Sequence, residues 1–164
     1  MADMSHVEMG ACSVKVGAAE VGHTSGPVVL HVEPIWRPQR EEKYGESVVD
    51  AVYLGSRVTA TARLMEKTLA NLKRALPHGL DGGTYLGLGR SPGFRMSTAA
   101  AAITLHPLEC SNTDKDVTLH RAAAYGPVDV EFQEGKERSF LVVFVGLVDP
   151  QQPEGELHAV INQT

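Results

Sequence analysis

Aromatic residues are scarce in this chain. Phe, Trp and Tyr make up 5% of its 164 residues, and Trp36 is the single tryptophan. A core must therefore be built mainly from Val, Leu and Ala, and a hydrophobic content of 43% is enough for one domain of this length. Cysteine is nearly absent. Cys12 and Cys110 fit a reducing compartment better than a disulfide scaffold. Long apolar runs are missing, and none approaches the ~18–20 residues that span a bilayer, so no membrane partner is expected. The opening segment "MADMSHVEMGACSVKVGAAEVG" has neither the basic nor the apolar region of a signal peptide. Basic residues are in the minority: the net charge is −5, which predicts solubility and no general attraction to nucleic acid or anionic membrane.

What is present reads as strands. "CSVKVGA" (12–18) alternates Val14 and Val16 with polar neighbours, and "PVVLHVE" (27–33) follows the turn signal "TSG". "SVVDAVYL" (47–54) and "SRVTATARL" (56–64) flank Gly55, which predicts a hairpin with a tight turn there. In the second of these, Val58, Ala60, Ala62 and Leu64 face one way, and Arg57, Thr59, Thr61 and Arg63 the other. The period then changes. Met65, Leu69, Leu72 and Leu76 make one stripe of an amphipathic helix over 65–76, stopped by Pro77 and Gly79. Residues 79–93 are glycine-rich and read as a loop around a short extended piece. Strands are expected at 94–107, 116–124, 127–132 and 139–149. The last is apolar on both faces and should be central and covered on both sides. "EGK" (134–136) reads as a hairpin turn. The expected architecture is mostly β: a sandwich or small barrel of about seven or eight strands with one flanking helix. Residues 1–10 read as an N-terminal arm, 11–150 as the domain and 151–164 as a polar C-terminal arm.

Between the second and third strands lies "EPIWRPQREEKYGE" (33–46), a predicted charged loop. It surrounds Trp36 with Arg37, Arg40, Glu41, Glu42 and Lys43. The ring either anchors an interface or folds back on its own subunit.

Catalytic patterns are weak. "GRSPG" (89–93) matches a G-x-S-x-G elbow around Ser91, but the residue after the serine is Pro92, which has no N–H to serve as oxyanion donor. "HPLECSNTDKDVTLH" (106–120) gathers His106, Cys110, Asp114, Asp116 and His120 without the paired short spacing of a zinc site. No dinucleotide fingerprint, P-loop or basic run with interleaved aromatics is present. No cofactor, metal or enzymatic activity is expected.

The ordered blocks "VKVGAAEVGHTSGPVVL", "GESVVDAVYLGSRVTATARLMEKTLANL", "ITLHPL", "DVTLHRAAAYGPVDVEF" and "RSFLVVFVGLVDP" resemble the major tail tube protein of long-tailed, non-contractile bacteriophages. The resemblance covers about residues 11–150 by block order and hydrophobic pattern. It implies a β-sandwich subunit that forms hexameric rings, stacked into a hollow tube in the virion tail and assembled in the host cytoplasm. DNA would pass through the lumen without specific binding. The implied partners are further copies of the chain and other tail proteins: tape measure, terminator and distal tail. Residues 33–46 occupy the place of a long loop that reaches a neighbouring subunit or ring. A duct for DNA should not be strongly basic, because neutralised phosphates would hold the DNA in place. Asp129 and Glu131 share one face of strand 127–132, and Thr59 and Thr61 the polar face of 56–64. These residues are candidates for the lumen wall, with the outer wall or a subunit seam as the alternative. Two other functions stay open. One is a different ring-forming protein: a tail terminator, a head–tail joining protein or a secretion-system tube. The other is a small cytosolic enzyme with its site near Ser91 or Cys110.

Overall fold

The computed structural model describes residues 11–109, 111–130, 139–156 and 158–162. The fold is mostly β. An eight-stranded antiparallel sheet contains β1 (Cys12–Val16), β2 (Ala19–Glu20), β3 (Val29–Arg40), β4 (Val48–Leu64), β7 (Ala101–Pro107), β8 (Val117–Ala124), β9 (Phe140–Gly146) and β10 (Ala159–Ile161). Its order is β2-β1-β7-β8-β9-β4-β3, with β10 also pairing β8. A second, two-stranded sheet joins β5 (Leu80–Asp81) to β6 (Leu86–Gly87). The helix α1 (Leu69–Ala75) follows β4.

One core serves the whole sheet. Val14 of β1, Ile103 of β7 and Leu119 of β8 meet Phe140, Val142 and Phe144 of β9 and Ala60, Ala62 and Leu64 of β4. Strands from both ends of the order contribute, so the sheet curves over its own inner face, as in a sandwich. The alanines have a packing reason. Phe144 is the register partner of Ala60 on one side and Ala124 on the other, so small neighbours make room for its ring. Burying each large apolar side chain here contributes about 1.5–3 kcal/mol.

The inward set Val58, Ala60, Ala62 and Leu64 is buried as its period predicts. Gly55 is different. It lies within a single strand, β4, at φ 133, next to a register shift opposite Ile35 and Trp36. It marks a β-bulge, not a hairpin turn. The turn lies instead in the segment 41–47, around a 3₁₀ turn at Glu42–Tyr44 that ends on Gly45 at φ 63, ψ −131, a conformation reserved for glycine. The predicted charged loop is therefore mostly strand. Pro34 and Pro38 are tolerated in β3 because it is an edge strand, where a missing N–H breaks no ladder.

Other boundaries also move. The helix starts at Leu69, because the Thr68 side chain caps it by accepting from the Asn71 N–H, and Met65 is tied to the loop carbonyl of His23. Of the strand expected at 94–107, only 101–107 is extended, and Met96–Thr98 form a 3₁₀ turn. β9 is central, but it alternates: Phe140, Val142 and Phe144 are buried while Leu141 is 41% exposed. One face is covered rather than two, since no second layer lies over the outside of the sheet among the described residues. Val128 and Val130 pack on the core and Asp129 is exposed, with Val130 bridged to Phe140. Glu131, Phe132, Cys110 and the "EGK" turn lie outside the described residues. The C-terminal segment adds β10 to the sheet. No helix among the described residues is long and apolar enough to cross a membrane.

Candidate functional site, the exposed β3–β4 arm

β3 and β4 pair from Val29↔Thr61 to Arg40↔Val48, but β9 supports β4 only from Thr59 to Leu64. The remainder, Val48–Val58 with its β3 partners, is a two-stranded ribbon roughly 35 Å long at ~3.3 Å per residue. Every residue from His31 to Leu54 is exposed. A polar composition would make that unremarkable, yet the ribbon is rich in large apolar side chains. Trp36 is 54% exposed, Leu54 60%, Val48 56% and Tyr53 51%, with Val32, Ile35, Val49 and Val52 also open to solvent. An isolated two-stranded ribbon is marginal in water.

Trp36 pairs with Tyr53 across the ribbon, their rings T-shaped at 5.2 Å. Its indole touches the arm, not the core. Tyr53 in turn hydrogen-bonds Ser56. Charges flank this apolar strip. Arg40 bonds Glu46 across the turn, Arg57 meets Glu33 at 3.3 Å, and Lys43 sits 5.4 Å over the Tyr44 ring. Such exposed pairs contribute under ~1 kcal/mol each and serve register more than stability. Arg37, Glu41 and Glu42 project from the same exposed arm.

At the arm's base, Leu30, Val32, Tyr53, Leu54 and Val58 line a groove of about 510 Å³ with Val148, Ala159 and Ile161. This extends the apolar surface from the ribbon on to the C-terminal segment. The strand expected at 47–54 is present as part of β4, but it pairs with β3 in the arm instead of turning at Gly55. Its signal was the run "VVDAVYL", whose apolar residues fall on both faces and so match no half-buried strand.

The other candidates scatter. Thr59 and Thr61 lie half-buried on the outer face of β4, register partners of Val145 and Val143. Asp129 is exposed near the opposite end of the sheet from the arm, and Glu131 lies outside the described residues. Ser91 and His78 line one open hollow of about 450 Å³, and no hydrogen bond joins them among the described residues. His106 Nδ1 and Asp116 Oδ1 are 2.6 Å apart, a contact that ties β7 to the start of β8. Asp114 instead bonds Asn112, and His120 sits on β8. Among the described residues no group of side chains could hold a metal ion. Cys12 borders the His106–Asp116 pair, but burial pushes its thiol above the ordinary range. The Asp116 carboxylate adds to that rise and a hydrogen bond with the His106 backbone opposes it. A thiol held neutral is a poor nucleophile.

The site so defined is a protruding apolar β-arm on a curved antiparallel sheet. No protein-family model and no curated protein matches the chain.

Proposed function

We propose that the chain is a structural subunit that self-assembles through the β3–β4 arm, as hexameric rings stacked into a phage-type tail tube. The observation that carries this reading is the exposed apolar arm. Val32, Ile35, Trp36, Val48, Val49, Val52, Tyr53 and Leu54 are all exposed on this one ribbon. Clustered exposed apolar side chains of this kind mark interaction sites. The Trp36–Tyr53 pair supplies the aromatic anchor, and Arg37, Arg40, Glu41, Glu42 and Lys43 supply the polar rim. The resemblance in block order supplies the ring and tube geometry, and the net charge of −5 suits a duct that must not retain DNA.

Negative-stain microscopy of the purified protein, over a range of concentrations and with light scattering alongside, tests the reading. Hollow filaments with a sixfold end view are the expected result. Isolated rings would instead favour a terminator or joining protein. A monomer at every concentration would overturn self-assembly.

A further inference from the structure

The two ends of the molecule differ in charge and in surface chemistry. β4 runs from the arm to Leu64 and α1 begins shortly afterwards, so α1 lies at the end opposite the arm. The segment 82–100, which precedes β7, belongs to that end. Arg90, Ser91 and Phe94 line one hollow with Ala75, Pro77 and His78. This segment carries Arg90 and Arg95 and no acidic residue. Arg90 stacks over the Phe94 ring at 4.5 Å, and Thr98 Oγ1 bonds the Arg95 carbonyl at 2.6 Å, which fixes the local backbone. Exposed apolar groups accompany the arginines: Tyr85 is 64% exposed and Leu88 62%. The acidic groups at this end include Asp81, which Lys73 holds, and Asp129.

The arm itself mixes Arg37, Arg40, Lys43 and Arg57 with Glu33, Glu41, Glu42, Glu46 and Asp50, but the segment at its base adds acid alone. After Arg138 the chain contains no Lys or Arg, while Asp149, Glu154 and Glu156 follow in quick succession. Glu154 lines the groove at the arm's base beside Tyr53, Leu54 and Val148. Val148 is itself 51% exposed. From Leu54 to Leu64 the two ends are separated by roughly 30 Å along β4.

We infer that the surface around Tyr85, Leu88, Arg90 and Arg95 docks a second copy of this chain, seated on that copy's acidic arm end at Glu154 and Glu156. The inference rests on the self-assembly reading and gives it a polarity. Opposite charges on opposite ends of one subunit produce a head-to-tail contact, which repeats without limit rather than closing as a twofold dimer. Arginine beside exposed Tyr and Leu is also the composition of an interface centre. Complementary charge sets register and suppresses wrong pairings.

A charge swap tests it. Arg90→Glu/Arg95→Glu makes both docking surfaces acidic, and Glu154→Arg/Glu156→Arg makes both basic. Each variant alone should raise the concentration for half-maximal light scattering at least tenfold, with its circular dichroism spectrum unchanged. Mixing the two should restore assembly, because every contact in the mixture then pairs acid with base. Carrying both swaps on one chain should restore it as well. If a folded single swap assembles as the parent does, or if the mixture fails to recover, these surfaces do not meet. Should the parent assemble and only the Trp36 variant be impaired, the docking inference alone fails. A parent that never assembles overturns this inference together with the reading beneath it.

Discussion

Trp36 shows what the burial of a single residue predicts for a substitution. Its indole contacts Tyr53 on the arm and leaves 54% of the residue in water. Trp36→Ala should therefore leave the fold intact while weakening assembly by ~2 kcal/mol or more, about thirtyfold in the assembly constant. Thermal unfolding of the isolated variant checks the first half and sedimentation the second. Loss of the fold would make Trp36 a core residue. Asn71 is the converse case. It is 2% exposed, and its side-chain amide donates to the carbonyls of Val21 at 2.8 Å and Glu66 at 3.0 Å. Its Oδ1 accepts from Arg74 at 2.7 Å. This one side chain ties α1 to the loop after β2. Asn71→Ala takes the side-chain donor from the Val21 carbonyl, while the Glu66 carbonyl keeps the Thr68 N–H, and should cost about 2 kcal/mol, read as a shift of the urea midpoint at unchanged m-value. A change below ~0.5 kcal/mol would place it among ordinary surface substitutions. The helical stripe Met65, Leu69, Leu72 and Leu76 gave no hint of Asn71, since periodicity ranks residues by apolarity and a satisfied buried amide is invisible to it.

At the scale of elements, the arm and the core are separable. Val58, Ala60, Ala62 and Leu64 fill the core from the part of β4 next to β9, whereas residues 31–54 contribute nothing to it. Replacing residues 35–53 by a short Asn-Gly turn should give a folded monomer whose melting temperature stays within a few degrees of the parent. Calorimetry and light scattering report the two halves of that expectation. Unfolding of the truncated chain would show the ribbon to be part of the folding unit. The sequence made the inner strand faces legible because a half-buried strand writes its burial with period two. It concealed the arm for the same reason: apolar residues on both faces, as in "VVDAVYL", carry no period. Gly55 looked like a turn because a bulge and a turn both recruit glycine at positive φ. Pro34 and Pro38 looked like loop residues because an edge strand cannot be told from a loop by proline alone. β9 was misjudged as two-sided because valine suits either face of an antiparallel strand.

At the scale of the whole molecule, the outer face of β4 and β9 is the candidate lumen wall of the proposed tube. Thr59 and Thr61 lie there between Arg57 and Arg63, opposite Val145 and Val143, with Leu141 exposed beside them. No acidic or basic group stands between the two arginines on β4. Between the two arginines, of which Arg57 meets Glu33 at 3.3 Å, the threonines and valines offer phosphate no counter-charge, and counterion release is what retains DNA on a basic surface. If this face borders the lumen, a lysine pair at the threonines should create the missing affinity. Thr59→Lys/Thr61→Lys tubes should then assemble as the parent does but retain short duplex DNA at low salt. Retention should fall steeply as salt rises, because each neutralised phosphate adds to the slope. Parent tubes should retain none under the same conditions. If the face is a subunit seam instead, the buried lysines would be costly and the double variant would not assemble at all. If it is the outer wall, DNA would bind tubes whose ends are capped as readily as open ones. Filter binding with open and capped tubes separates these outcomes, and only DNA held inside open tubes supports the lumen.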